Sequence, residues 1–254
     1  MRRVLAPALV VALLATGCAG DPPAPAAGGG PSGEVTVLAA ASLTEVFTRL
    51  GADFQATRPG TRVTFSFGAS STLARQITTG AAADVFAAAS PATMAQVTGA
   101  SLAAGEPRVF ARNQLVIAVP RDNPRRVDAL ADLAAPRVKV ALCDTQVPCG
   151  AAAAKALSAA GVAVTPVTLE QDVKATLTKV RLGEVDAALV YRTDVRAAPD
   201  VLGIEFPESG QAVNDYPIVA LTAGRNSSGG AAFLAYVNSA AAKPALTGAG
   251  FGLP

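Results

Sequence analysis

From residue 35 onward the chain alternates short β-branched or apolar runs with longer amphipathic stretches, and that alternation leaves few folds open. Val35 to Ala39 reads as a strand, Leu43 to Gln55 as a helix, Arg62 to Phe67 as a strand and Thr72 to Thr79 as a helix. A short strand at Val85 to Ala88 and a helix at Pro91 to Thr98 complete this first unit. A second unit repeats the order: strand Gln114 to Pro120, helix near Val127 to Leu133, strand Lys139 to Leu142, helix Gly150 to Ala160, strand Val164 to Thr168, helix Val173 to Leu182 and strand Asp186 to Tyr191. Tyr216 to Leu221 is a further strand, and Ser228 to Ala241 and Pro244 to Ala249 are helical. This βαβ order predicts mostly parallel sheets flanked by helices, with ligands beyond the carboxyl ends of the strands. Two such units in succession predict two lobes with a cleft between them.

Ahead of this alternation the chain runs Met1-Arg2-Arg3, then apolar from Val4 to Leu14, then Ala15-Thr16-Gly17-Cys18, then Pro, Gly and Ala-rich to Gly33. The pattern predicts a lipoprotein leader over 1–17, lipidation at Cys18 and a flexible tether over 18–33. The apolar run is too short to span a bilayer. Ordinary signal cleavage leaving Cys18 free is the alternative. Lipidation places the protein outside the cytoplasm, anchored to a membrane.

Loss of Arg2 and Arg3 with the leader brings the 21 basic side chains level with the 19 acidic ones, so nucleic-acid binding has no electrostatic footing. There is no histidine in the chain, which removes His-dependent triads and the commonest transition-metal ligand together. No Gly-x-Ser-x-Gly elbow occurs, and no lysine stands three residues after Ser71. An enzyme with Ser42 or Ser70 as nucleophile is therefore a remote reading.

Those two serines stand where strand hands over to helix, in VTVLAAASLTEVF and VTFSFGASSTLARQI. Each junction offers a hydroxyl beside backbone N–H groups that no helix can satisfy internally, an anion cradle without formal positive charge. Ser42-x-x-Glu45 also fits a capping box, a purely structural role. Ser70, Ser71 and Thr72 supply three hydroxyls where one cap suffices. Two further junctions follow, Cys143-Asp144-Thr145-Gln146-Val147-Pro148-Cys149-Gly150 and Glu170-Gln171-Asp172-Val173. Pro148 suits a first helical turn, Gly150 is read as admitting a ligand close to the backbone, and Asp172 is a natural helix cap.

AAASLTEVF, FGASSTLARQI, Ala82-Ala83-Asp84-Val85-Phe86, Val147-Pro148-x-Gly150, Asp172-Val173, Leu189-Val190-Tyr191 and Tyr216-Pro217-Ile218 occur in the order found in molybdate-binding proteins. The chain resembles that family over essentially all of 34–254. The resemblance implies an α/β, two-lobed periplasmic-binding-protein fold of type II, with 34–112 and 222–254 as one lobe and 113–221 as the other. It implies a monomeric, extracytoplasmic receptor for molybdate or tungstate, serving the membrane permease of an ABC importer, with no cofactor and no catalysis. Carried over by position, the oxyanion ligands fall on hydroxyls and amides of Ser42 and Ser70, the amides of Cys149 and Val173, and the hydroxyl of Tyr191; the metal atom of the oxyanion has no direct protein ligand. Many family members have alanine where this chain has Cys149, a change that leaves a backbone N–H ligand intact. Cys143 and Cys149, six residues apart in a disulfide-permissive compartment, are read as a bridge; two free thiols are the alternative.

A tetrahedral dianion only accepts hydrogen bonds, so a site built purely of donors suits it and has nothing to receive the proton of an acidic phosphate. Asp172 must then turn its carboxylate away, as a cap on its own helix. Sulfate or another tetrahedral oxyanion is the alternative ligand. The sensing half of a transcription regulator would share the fold, but the chain has no helix-turn-helix segment.

Overall fold

Among the described residues, ten strands and their helices arrange into two five-stranded sheets with the same plan. The structure, a computed structural model, describes residues 32–254. The expected leader over 1–17, Cys18 and the tether up to residue 31 lie outside the described residues. The tether expectation runs too far at its end: Gly33 already belongs to the first strand, its N–H bonded to Gly60 O at 2.8 Å.

In the first sheet, β1 (Gly33–Ala40) lies between β2 (Thr61–Gly68) and β3 (Val85–Ala87), all parallel. Next comes β10 (Asn214–Ala220), antiparallel both to β3 and to the edge strand β4 (Arg108–Asn113). The second sheet runs β7 (Thr168–Glu170), β6 (Val140–Cys143), β8 (Ala187–Tyr191), β5 (Leu115–Pro120), β9 (Val201–Ile204). Its first three strands are again parallel, and β5 runs against both neighbours. The two-lobed α/β architecture holds, with one reversed strand in each sheet.

Helices α1 (Thr44–Ala56), α2 (Ser70–Thr78) and α3 (Pro91–Gly99) follow the strands of the first sheet. The second has α4 (Pro148–Ala160), α5 (Val173–Arg181) and α6 (Arg192–Arg196), and the chain ends with α7 (Ser227–Val237) and α8 (Lys243–Gly248). Burial explains the packing. The apolar stripe Val46, Phe47, Leu50 and Phe54 of α1 is buried against an aromatic cluster, where Phe233 meets Phe47 and Phe54 edge-on at 6.0 and 5.3 Å. The second core is aliphatic; β8 is buried along its whole length, as a strand covered on both faces must be. Buried Asp84 ties β1 to the start of α7 by accepting Thr36 N–H at 2.7 Å and Asn226 N–H at 2.6 Å.

Several expectations need correction. β10, assigned on sequence to the lobe 113–221, pairs in the first sheet, because an apolar run does not encode which sheet will hydrogen-bond it. The strand expected at 164–168 forms at Thr168–Glu170, and the helix near 127–133 is a short 3-10 turn at Leu130–Ala134. β4, β9, α6 and a 3-10 turn at Pro207–Ala212 were not expected; they are short, and tertiary pairing rather than periodicity makes them.

The chain passes between the sheets twice, from β4 into β5 and from β9 through 207–212 into β10. Asn113 and Asn214 stand at these passages and face each other in register.

Candidate functional site

The first and second strands of each sheet, β1 and β2, β6 and β7, end in helix N-termini that converge on one cavity. Ser42, Ser70, Cys149, Val173 and Tyr191 all line it, together with Ala89 and Asp172. The cavity volume is about 20 Å³ for the centre of a water-sized sphere, against roughly 10–15 Å³ for a single water, so it holds one small compact group.

Ser42 lies in a 3-10 turn, Ala41–Leu43, that leads into α1. The capping box does not form. α1 starts at Thr44, so Leu43 and not Ser42 stands in the cap position, no side chain caps α1, and Glu45 turns away to Lys174. Ser70 is the first residue of α2 and its Oγ accepts Ala89 N–H at 3.0 Å. The neighbouring hydroxyls point elsewhere: Thr72 Oγ1 accepts from Arg75, and Ser71 Oγ is buried with no partner among the described residues.

Cys143 at the end of β6 is bonded to Cys149 in the first turn of α4, which closes a loop over the helix start. Gly150 serves this loop. A Cβ there would overlap the Asp144 carbonyl, so the space read as an approach for ligand is filled by the chain itself. Val173 opens α5 behind Asp172, whose Oδ1 caps the helix by accepting Ala175 N–H at 2.9 Å. The one carboxylate lining the cavity is thereby committed to its own helix.

The N–H groups of Ser42, Ser70, Cys149 and Val173 have no hydrogen-bond partner among the described residues. Each helix start carries roughly half a positive charge, so four of them offer roughly two charges without any cation lining the cavity.

Tyr191, at the end of β8, is buried, and its hydroxyl accepts from Asn214 Nδ2 at 2.9 Å. Behind Ser42 stands Tyr216, with Ser42 Oγ and Tyr216 Oη 2.9 Å apart. Burial above all pushes both phenols up from their usual range, so both stay protonated and able to donate.

Beside the cavity, Lys174 Nζ bonds both Glu45 oxygens at 2.7 and 2.9 Å and lies 3.1 Å from Asp194 Oδ1, linking α5 to α1 across the cleft. Asp194 is fully buried and its Oδ2 accepts Tyr191 N–H at 3.2 Å. Burial raises the Asp194 carboxyl to about 6 against the opposing pull of Lys174. Burial depresses the Lys174 ammonium, but Asp194 and Glu45 outweigh it and hold it above its ordinary value.

Sequence reasoning missed Ala89, Asn113, Asn214 and the Glu45–Lys174–Asp194 cluster. The only signal was polar asparagine at the ends of apolar strands, and its meaning depends on which strands cross between the sheets.

The sequence model of the family described as bacterial extracellular solute-binding protein matches residues 35–252. A molybdate-binding protein of Mycobacterium tuberculosis is 40% identical over 256 residues, covering 98% of each chain. One from Escherichia coli is 31% identical, covering 81% of this chain and 83% of its own. Among solved structures, the periplasmic molybdate-binding protein of Azotobacter vinelandii superposes with a TM-score of 0.75 at 20% identity, over 87% of this chain and 99% of its own.

Proposed function

This chain belongs to the bacterial extracellular solute-binding proteins and, among them, to the molybdate-binding proteins, and from that membership we propose that its cleft captures molybdate for the permease of an ABC importer. The observation that carries the reading is the convergence of Ser42, Ser70, Cys149, Val173 and Tyr191 on one cavity lined by no cation. Three hydroxyls and four free amides provide donors for the four oxygens of a tetrahedral dianion, and the helix ends supply a balancing potential. Tungstate, of the same shape and charge, is accepted as well.

Both lobes contribute to the cavity, so the ligand is enclosed only when they meet, and binding selects the closed form that a permease recognises. The protein acts as a monomer outside the cytoplasm, tethered through lipid on Cys18, and binds its ligand without transforming it. The oxidised Cys143–Cys149 pair accords with that compartment.

Thermal-shift screening with molybdate, tungstate, sulfate and phosphate tests the assignment, because a ligand that binds only the folded state raises its stability by mass action. Molybdate and tungstate should raise the melting temperature and phosphate should not. A shift with phosphate alone, or with none of the four, contradicts the reading.

A further inference from the structure

We propose that Tyr216, Asn113 and Asn214, which do not line the cavity, are positioning residues that fix the site hydroxyls as donors and thereby make the cleft selective for fully deprotonated oxyanions. The inference rests on the cleft being the oxyanion site.

Asn113 Oδ1 accepts Gln114 N–H at 2.9 Å, which assigns the other end of that amide as NH2. Its Nδ2 donates to Thr193 Oγ1 at 2.9 Å and, more weakly, to Tyr216 Oη at 3.4 Å. Either hydroxyl can donate in the 2.9 Å contact between Tyr216 Oη and Ser42 Oγ; with one Tyr216 lone pair filled by Asn113, we assign Tyr216 as the donor, which leaves the Ser42 hydrogen for the cavity.

Asn214 is fixed by the same logic. Its Nδ2 donates to the Ala89 carbonyl at 2.7 Å, a group that can only accept, so the contact of Nδ2 with Tyr191 Oη is also a donation. With Asn214 donating to its oxygen, Tyr191 keeps its own hydrogen to give, and it lines the cavity. Ala89 closes the pattern, since its N–H occupies Ser70 Oγ from behind. All three hydroxyls therefore have a lone pair filled from the protein side.

A monohydrogen phosphate needs one acceptor, and each of these hydroxyls, with one of its two lone pairs filled and its hydrogen given to the ligand, keeps only its second lone pair, directed off that donor axis. The asparagines stand opposite each other on the two strands that pass between the lobes, so the donor pattern is set by the crossover itself.

Tyr216→Phe removes one hydroxyl and keeps the ring in its edge-on contacts with Tyr191 and Phe251. Calorimetric titration of the folded variant at mildly alkaline pH should show molybdate affinity falling about 5- to 10-fold. The ratio of molybdate to phosphate affinity should fall further, because Ser42 Oγ has regained an acceptor site, whereas the ratio of molybdate to sulfate affinity should hold, since neither carries a proton. A purely structural role would move all three anions together. In a Ser42→Ala background, Tyr216→Phe should add little.

Unchanged molybdate affinity, equal losses for every anion, or full additivity with Ser42→Ala would overturn the proposal. If Tyr216→Phe does not fold, Asn113→Ala reads the same relay from its far end, with the same shift in the phosphate ratio expected and its absence contradictory. Wild-type protein that binds no molybdate refutes the function proposed above, a separate outcome.

Discussion

Asp194 sits where two opposed effects can be told apart by one titration. Its carboxylate is fully buried, with Lys174 Nζ at 3.1 Å and the Tyr191 N–H at 3.2 Å. Desolvation raises its pKa, the lysine and the amide lower it, and burial wins: the value rises from 3.8 to about 6. In the interval between these values the folded chain holds a proton that the unfolded chain has released. Stability must therefore fall as pH rises through that interval and level off above it. The displacement corresponds to about 3 kcal/mol, present as extra stability at pH below both values and lost above about 6. Asp194→Asn removes the titration while its amide oxygen can still accept Tyr191 N–H. Urea unfolding of ligand-free wild type and variant across mildly acidic to neutral pH isolates the effect, since most other carboxylates cancel in the difference. The wild type should gain about 3 kcal/mol on the variant as pH falls through the interval. A flat difference would mean that the Lys174 pairing balances burial, and one of opposite slope that it outweighs burial; either refutes the reasoning.

Other perturbations test neighbouring parts of the site. Cys143→Ala/Cys149→Ala opens a loop of separation six but keeps the backbone N–H at 149; unfolding stability should drop by about 2 kcal/mol and molybdate affinity several-fold. Equal affinity by calorimetry would show that the Asp144 carbonyl packed over Gly150 holds the loop alone. Ser42→Ala and Ser70→Ala should each weaken molybdate binding by about 1 to 3 kcal/mol, and Ser70→Ala should also lower ligand-free stability, because Ala89 N–H loses its acceptor. Binding unaltered in both would remove the serines from the site. Glu45→Gln loosens the contact across the cleft; Glu45 is half exposed, so ligand release in stopped-flow should quicken only about 2- to 5-fold, more at low salt than at high. Identical release rates would mean that the contact contributes nothing to the closed form.

The alternation of strands and helices was legible because it depends on local periodicity, and most elements form within a few residues of where the pattern puts them. Four of the residues that line the cavity were legible for a related reason: Ser42, Ser70, Cys149 and Val173 lie at helix starts that follow a strand, whereas Tyr191 was reached only through the family resemblance. What the sequence could not carry is pairing. The apolar run containing Tyr216 looks the same in either sheet, and the three-residue strand at Thr168–Glu170 exists only because β6 offers it a partner. Asn113 and Asn214 are a hundred residues apart in the chain, and only strand register makes them one device. Ser42-x-x-Glu45 shows the converse: the local pattern fits a capping box, but Lys174, 129 residues from Glu45, supplies a stronger partner.

The central claim is that a small dianion is held between the lobes by neutral donors alone. A crystal structure of the protein grown with molybdate tests this most directly. The anion should lie in the cavity with its oxygens about 2.7–3.2 Å from the hydroxyls of Ser42, Ser70 and Tyr191 and from the amides of Cys149 and Val173, with no lysine or arginine nitrogen in contact. An anion seated against Lys174, with the cavity between the helix ends left to water, would contradict it.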